Sequence, residues 1–154
     1  MIFYGGGIGT KMNKPPVVIV DADAIIAQTN PKDIHHQRAS IVSQNLVEMN
    51  AQVIYPATAV AEATTHIQRV LNSTATAYGT ARLMSETDAQ VAEVNKQTIA
   101  TALKYFSPTT SKKNTLFDCI VAAVAQEYNA DAIFSFDRFY VKKGFKLAED
   151  IKKN

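Results

Sequence analysis

Three short apolar runs constrain this chain most. They are Val17-Val18-Ile19-Val20, Gln52-Val53-Ile54-Tyr55 and Ala132-Ile133-Phe134-Ser135-Phe136. Each is rich in β-branched or aromatic residues, and no two are joined by a hairpin signal. Helix-length segments separate them instead. Strands joined by helices can pair only in parallel, so the expected class is α/β: a three-layer α/β/α domain with a mainly parallel sheet. Val17–Val20 is apolar at every position, as a strand covered on both faces must be.

The intervening segments carry helical spacing. Ala24–Gln28 predicts a short helix, stopped by Thr29-Asn30-Pro31. Ala39, Val42, Leu46 and Met49 mark one over 35–50. Thr58 is the expected cap of a helix reaching Leu71, with Val60, Ala63, Ile67 and Val70 inward. Residues 74–106 read as two helices broken near Ser85–Asp88. Pro108–Ser111 is a loop. Thr115 opens a helix ending near Asn129, and Gly144–Leu147 gives a short fourth strand.

With 154 residues, the chain is expected to form a single domain over 14–154. Residues 1–13 read as a flexible leader because of Gly5, Gly6, Gly7 and Gly9, with Met12 a candidate natural start. That glycine run fits neither phosphate-loop spacing. A net charge of +2 excludes wrapping of nucleic acid by bulk charge. The single cysteine, Cys119, excludes an internal disulfide and a four-cysteine zinc site, and fits a reducing, cytoplasmic setting. No apolar run has the length of a membrane span, and Met1–Lys11 lacks the form of a secretory signal.

In open parallel sheets, sites form beyond the carboxyl ends of the strands. Asp21 directly follows the first strand and Asp137 directly follows the third. Glu62 lies in the first turns of the helix after the second strand. Asp118 lies in the first turn of a helix that leads into a strand, so that turn also sits at the carboxyl edge. Four acids from four segments therefore face one edge, and Asp23 adds a fifth. Each has a bland reading alone, as an Asx turn, a solvated helix acid or, for Thr115-x-x-Asp118, a capping box. Gathered together they repel, and a hard divalent cation, Mg²⁺ or Mn²⁺, resolves the repulsion. Ala122 and Ala125 follow Asp118 on its helix face and leave room around it. The four carboxylates are then expected within about one coordination shell.

The segments Val17–Ile26, Pro56–Glu62, Leu116–Ala125 and Ile133–Tyr140 resemble, in order, the four motifs of the PIN-domain nucleases, and among them the VapC-type toxin ribonucleases. Asn30-Pro31 and His35 also stand as in many members. The resemblance spans about Val17–Leu147. It implies a metal-dependent endoribonuclease with Asp21, Glu62, Asp118 and Asp137 as the catalytic, metal-holding quartet. Ser135 matches the hydroxyl before the last acid. Asp23 departs from the pattern, which has Asn, Ser or Thr there. The resemblance also implies hydrolysis by an activated water, with a 5′-phosphate and a 3′-hydroxyl as products. A protein antitoxin and a homodimer are the implied partners.

Two other readings compete. A phosphatase of the haloacid dehalogenase type would use Asp21 as nucleophile and Asp23 as acid, but Ile25 replaces its expected Thr or Val, and Glu62 would be idle. A catalytically silent PIN-like RNA- or partner-binding module should have lost an acid, and all are present. Substrate contacts are expected from Arg138, Lys142, Lys143 and Lys146 after Asp137, and from Lys112 and Lys113 before Asp118. Tyr140 and Phe139 are candidates for base stacking, with core packing the stronger reading for Phe139. His66, four residues after Glu62, reads as its surface neighbour or an RNA contact. Tyr78, Leu83, Met84, Val91, Val94, Ile99 and Leu103 exceed what one buried stripe needs, which favours a homodimer.

Overall fold

The computed structural model describes residues 14–153, so the glycine-rich leader lies outside the described residues. In chain order the elements are β1 (Val17–Val20), α1 (Ala22–Thr29), α2 (His36–Glu48), β2 (Gln52–Pro56), α3 (Ala57–Arg69) and α4 (Thr74–Glu86). There follow β3 (Gln90–Ala92), α5 (Lys96–Ala102), α6 (Leu116–Glu127), β4 (Ala132–Phe134) and α7 (Phe139–Lys142). A 3-10 turn at Ala148–Asp150 closes the described chain. The strands form one sheet in the order β3-β2-β1-β4, and every pair is parallel. The expected α/β class is therefore what the chain adopts.

β1 is central. Val18, Ile19 and Val20 have no exposed surface, so apolar cover on both faces holds the strand in place. Its register sets Ile19 beside Ile54 on one side and beside Ile133 on the other. α6 is the helix most completely buried, with Cys119 through Ala125 all inside, and it packs on β1, β2 and β4. Its alanines at 122, 123 and 125 let it approach the sheet closely.

The boundaries differ from the sequence reading in five places, each for a local reason. α1 starts at Ala22 rather than Ala24, because the Asp21 carboxylate accepts from the Ala22 amide and caps the helix at once. Thr58 is not a cap: β2 runs straight into α3, Pro56 fills the cap position, and Thr58 Oγ1 is buried without a hydrogen bond. β3 is a three-residue edge strand inside the stretch read as helix; it is too short for its period to show. β4 stops at Phe134 because Ser135 and the Phe136 amide turn away to Asp23. The fourth strand expected at 144–147 is reduced to one bridge, Ile133–Leu147, after a turn in which Gly144 takes φ 92°.

Candidate active site

The carboxyl ends of β1 and β4 are adjacent, and the carboxylates meet there. Asp21 is buried directly after β1. Its Oδ1 accepts from the Ala22 amide at 2.7 Å, and its Oδ2 accepts from the Tyr140 hydroxyl at 2.8 Å. Ser135 Oγ stands 3.0 Å from Oδ2 of both Asp21 and Asp23. A hydroxyl carries one proton, so it can donate to only one of the two at a time. Asp23 Oδ2 also accepts from the Phe136 amide at 2.8 Å, while its Oδ1 is shielded from solvent with no partner.

Asp118 is held by the capping box foreseen at the start of α6: its Oδ2 accepts from the Thr115 amide at 2.7 Å. Asp137 accepts from the Phe139 amide at 2.8 Å through Oδ1, and from Asn114 Nδ2 at 2.9 Å through Oδ2. Glu62 comes from the second turn of α3 and is half-buried. The capping reading of Asp118 is borne out, and it occupies only one oxygen of the carboxylate.

Electrostatics tie the five acids into one group. Burial, then the charge of Asp23, raises the Asp21 carboxyl well above the usual carboxylate range. Burial pushes Asp23 up to about 6, with Asp137 adding to the rise. Burial also pushes Glu62 up to about 7, helped by the charges of Asp118 and Asp23. Asp118 is raised by burial and by Asp137. Burial is the first cause of each rise, and the smaller charge effects link the acids to one another. Such perturbed groups gather where chemistry is done.

The expected single coordination shell is not what the side chains form. Among the described residues, no three Asp, Glu, His or Cys side chains stand close enough to share one ion. The reason is visible in the hydrogen bonds: Asp21, Asp23, Asp118 and Asp137 are each turned onto backbone amides, hydroxyls or Asn114. The donor set nevertheless suits Mg²⁺ or Mn²⁺, because it is all carboxylate oxygen. The partnerless Oδ1 of Asp23 is a buried acceptor that a cation, a proton or another donor would satisfy.

Of the expected substrate contacts, Arg138, Lys142, Lys143, Lys146, Lys112 and Lys113 are all exposed. Base stacking by Phe139 and Tyr140 is overturned. Both are buried, Tyr140 with no exposed surface and its hydroxyl used on Asp21, so core packing, the stronger reading for Phe139, holds for both. Asn114 is the site residue the sequence reading missed, and Tyr140 is the one whose role it misplaced. The Tyr140 hydroxyl reaches an acid 119 residues away, a contact that no local spacing announces.

The model of the family described as PIN domain matches residues 18–146. The chain belongs to the PIN domain family. Among solved structures, this PIN domain is similar to the toxin VapC20 of Mycobacterium tuberculosis, described as cleaving the sarcin–ricin loop. The TM-score is 0.70 at 18% identity, over 83% of this chain and 95% of that one. It is also similar to FitAcB of Neisseria gonorrhoeae, with a TM-score of 0.61 at 14% identity, over 84% and 95%. No curated protein matches by sequence. At these identities the likeness shows the fold, and membership of the PIN family sets the phosphatase reading aside.

Proposed function

We propose that this PIN domain is a divalent-metal-dependent endoribonuclease. The observation that carries the reading is the hydrogen-bond network at the ends of β1 and β4, in which Ser135 contacts Asp21, Asp23 and the Asp137 amide, in a chain that matches the PIN family. Asp21, Glu62, Asp118 and Asp137 each stand on the segment where the family motif has its acid. Asp21, Asp118 and Asp137 would hold Mg²⁺ or Mn²⁺, with Glu62 completing the set from α3. The cation would polarise the scissile phosphate and activate a water for in-line attack. Ser135 and Tyr140 fix the orientation of Asp21, and Asn114 fixes Asp137. Asp23 anchors the turn after β4 through the Phe136 amide, and so positions Asp137. Arg138, Lys142, Lys143 and Lys113 would hold RNA phosphates without reading bases.

Product ends test this reading. Cleavage of single-stranded RNA should leave 5′-phosphate and 3′-hydroxyl ends, as the family resemblance implies for attack by water with the 3′-oxygen leaving. A 2′,3′-cyclic phosphate would mean that the ribose hydroxyl attacked, and would refute it. The hydroxyl of Tyr140 gives a second test. Tyr140→Phe removes one hydrogen bond to Asp21 and should weaken Mn²⁺ affinity by about 10–100-fold, as loss of a ligand-orienting partner does. Calorimetric titration of both proteins reads it; equal affinities would leave the hydroxyl a packing detail.

A protein antitoxin as partner and a toxin role rest on the VapC-type resemblance and on the likeness to VapC20. A cytoplasmic location accords with the chain, in which no helix of the described residues is long and apolar enough to cross a membrane. A homodimer is supported by surface. Tyr78, Leu83, Val91, Ile99 and Leu103 are exposed, from 40% for Val91 to 66% for Tyr78. α4 buries only Ala77 and Thr80. Light scattering should give twice the monomer mass at micromolar concentration. A monomer mass independent of concentration would contradict the dimer.

A further inference from the structure

A cleft of about 600 Å³ opens beside the acid edge, between α3 and the first turn of α6. Glu62, Thr65, His66 and Arg69 line one wall, and Phe117 forms the other. The α3 residues fall at i, i+3, i+4 and i+7, a single stripe down one helix face that begins at a site acid. Phe117 is 43% exposed although it directly precedes Asp118. The Thr115 capping box fixes this turn of α6, with the Phe117 amide donating to Thr115 Oγ1 at 3.3 Å. The backbone that carries the ring is therefore fixed beside Asp118 before binding.

Charge singles out the same cleft. The chain has four arginines. Arg38 and Arg82 are committed to Glu149 and Glu86. Arg69 and Arg138 make no carboxylate pair among the described residues. One stands in the cleft beyond Glu62, and the other directly follows Asp137, so the two free guanidinium groups flank the acids.

We propose that this cleft is a nucleoside subsite: an unpaired RNA base next to the scissile phosphate stacks on Phe117, and its phosphate binds Arg69. The inference rests on the ribonuclease reading for its direction, since it places the strand across the acids from Arg138 to Arg69. The cleft has the size of a small-ligand pocket. An exposed aromatic beside a free guanidinium is the pairing that holds single strands, through stacking and phosphate contact. A protein helix would also cover an apolar ring. The charged lining, Glu62 at the end nearest the acids and Arg69 beyond it, favours a phosphate-bearing strand over such a helix.

The test measures binding apart from cleavage. The Asp21→Asn protein in Mg²⁺ is titrated against a labelled single-stranded RNA decamer of mixed sequence, and against a decamer of abasic ribose phosphate. Adding Phe117→Ala should raise Kd for the RNA about tenfold. It should leave Kd for the abasic strand unchanged. Phe117→Tyr should bind both as the parent does, which controls for folding. Arg69→Gln should weaken both strands. Equal Kd values for parent and Phe117→Ala on RNA, or an equal loss on both strands, would overturn the subsite. So would unchanged RNA binding together with a drop from dimer to monomer mass, which would make Phe117 a contact between copies. The two readings fail separately. RNA that is bound through Phe117 but never cut by the unmutated protein sinks the nuclease and keeps the subsite; RNA that is cut with no dependence on Phe117 does the reverse.

Discussion

Asp118→Asn should lower RNA cleavage by about a thousandfold and leave the fold intact. A cation's hold on the scissile phosphate supplies several kcal/mol of transition-state stabilisation, which is on the order of three decades in rate. The amide oxygen of asparagine can still accept from the Thr115 amide, so the capping box at the start of α6 survives. The lost charge no longer opposes Asp137, Glu62 and Asp21. In EDTA the variant should therefore melt at the wild-type temperature or above it. Asp118→Ala separates the two roles, because it also removes the cap, at a cost of about 0.5–2 kcal/mol. Single-turnover cleavage in Mg²⁺, with melting curves in EDTA at low salt, reads both effects. An Asp118→Asn protein that cuts at the wild-type rate would reduce this acid to a helix cap.

The metal-free protein should lose stability as pH rises from 5 to 8. Asp21, Asp23, Glu62 and Asp118 all have folded-state pKa values raised above their unfolded ones. Between about 4, where such acids titrate in an unfolded chain, and the raised values, the native state holds more protons than the unfolded state. Stability is therefore greatest at the acid end of that window. It falls as pH passes about 6 for Asp23 and about 7 for Glu62. Between pH 5 and 8 the rise at buried Asp23 from 3.8 to about 6 corresponds to roughly 1 kcal/mol, because the rest of the linkage is lost below pH 5. In a chain of this length that is on the order of 2–4 °C in melting temperature. Mg²⁺ or Mn²⁺ should cancel the loss or reverse it, since the cation binds the deprotonated acids of the folded state alone. Calorimetric melting at pH 5.5 and 8, in EDTA and in Mn²⁺, gives the four values needed. A flat or rising profile in EDTA would mean that the acids do not share a desolvated site.

The four segments that carry the acids were legible because each obeys a local rule. An acid after Val17–Val20 or after β4 marks a strand's carboxyl end wherever the sheet is parallel, and Thr115-x-x-Asp118 fixes a helix start by its own hydrogen bonds. What escaped was set by contacts distant in sequence. The Tyr140 hydroxyl serves Asp21 across 119 residues, and Asn114 serves Asp137 across 23. β3 exists because the edge of β2 can take a partner there, with Val91 set beside Tyr55. Its own three residues carry too little pattern to announce it. The close gathering expected of the carboxylates failed for a related reason: spacing showed which acids share an edge, but not that backbone amides and hydroxyls would each claim an oxygen. Phe117 lay in plain view beside Asp118, yet only the cleft facing α3 gives its exposure a meaning.

The most direct measurement is cleavage of a mixed single-stranded RNA pool by the purified wild-type protein in Mg²⁺, in Mn²⁺ and in EDTA, with Asp21→Asn in parallel. Asp21 is buried at the centre of the hydrogen-bond network, so its loss should remove the cation's main anchor while asparagine keeps the shape. The account predicts cutting with either metal, none in EDTA, and none above background by Asp21→Asn under any condition. Cutting that persists in EDTA, or that survives in Asp21→Asn, would contradict it.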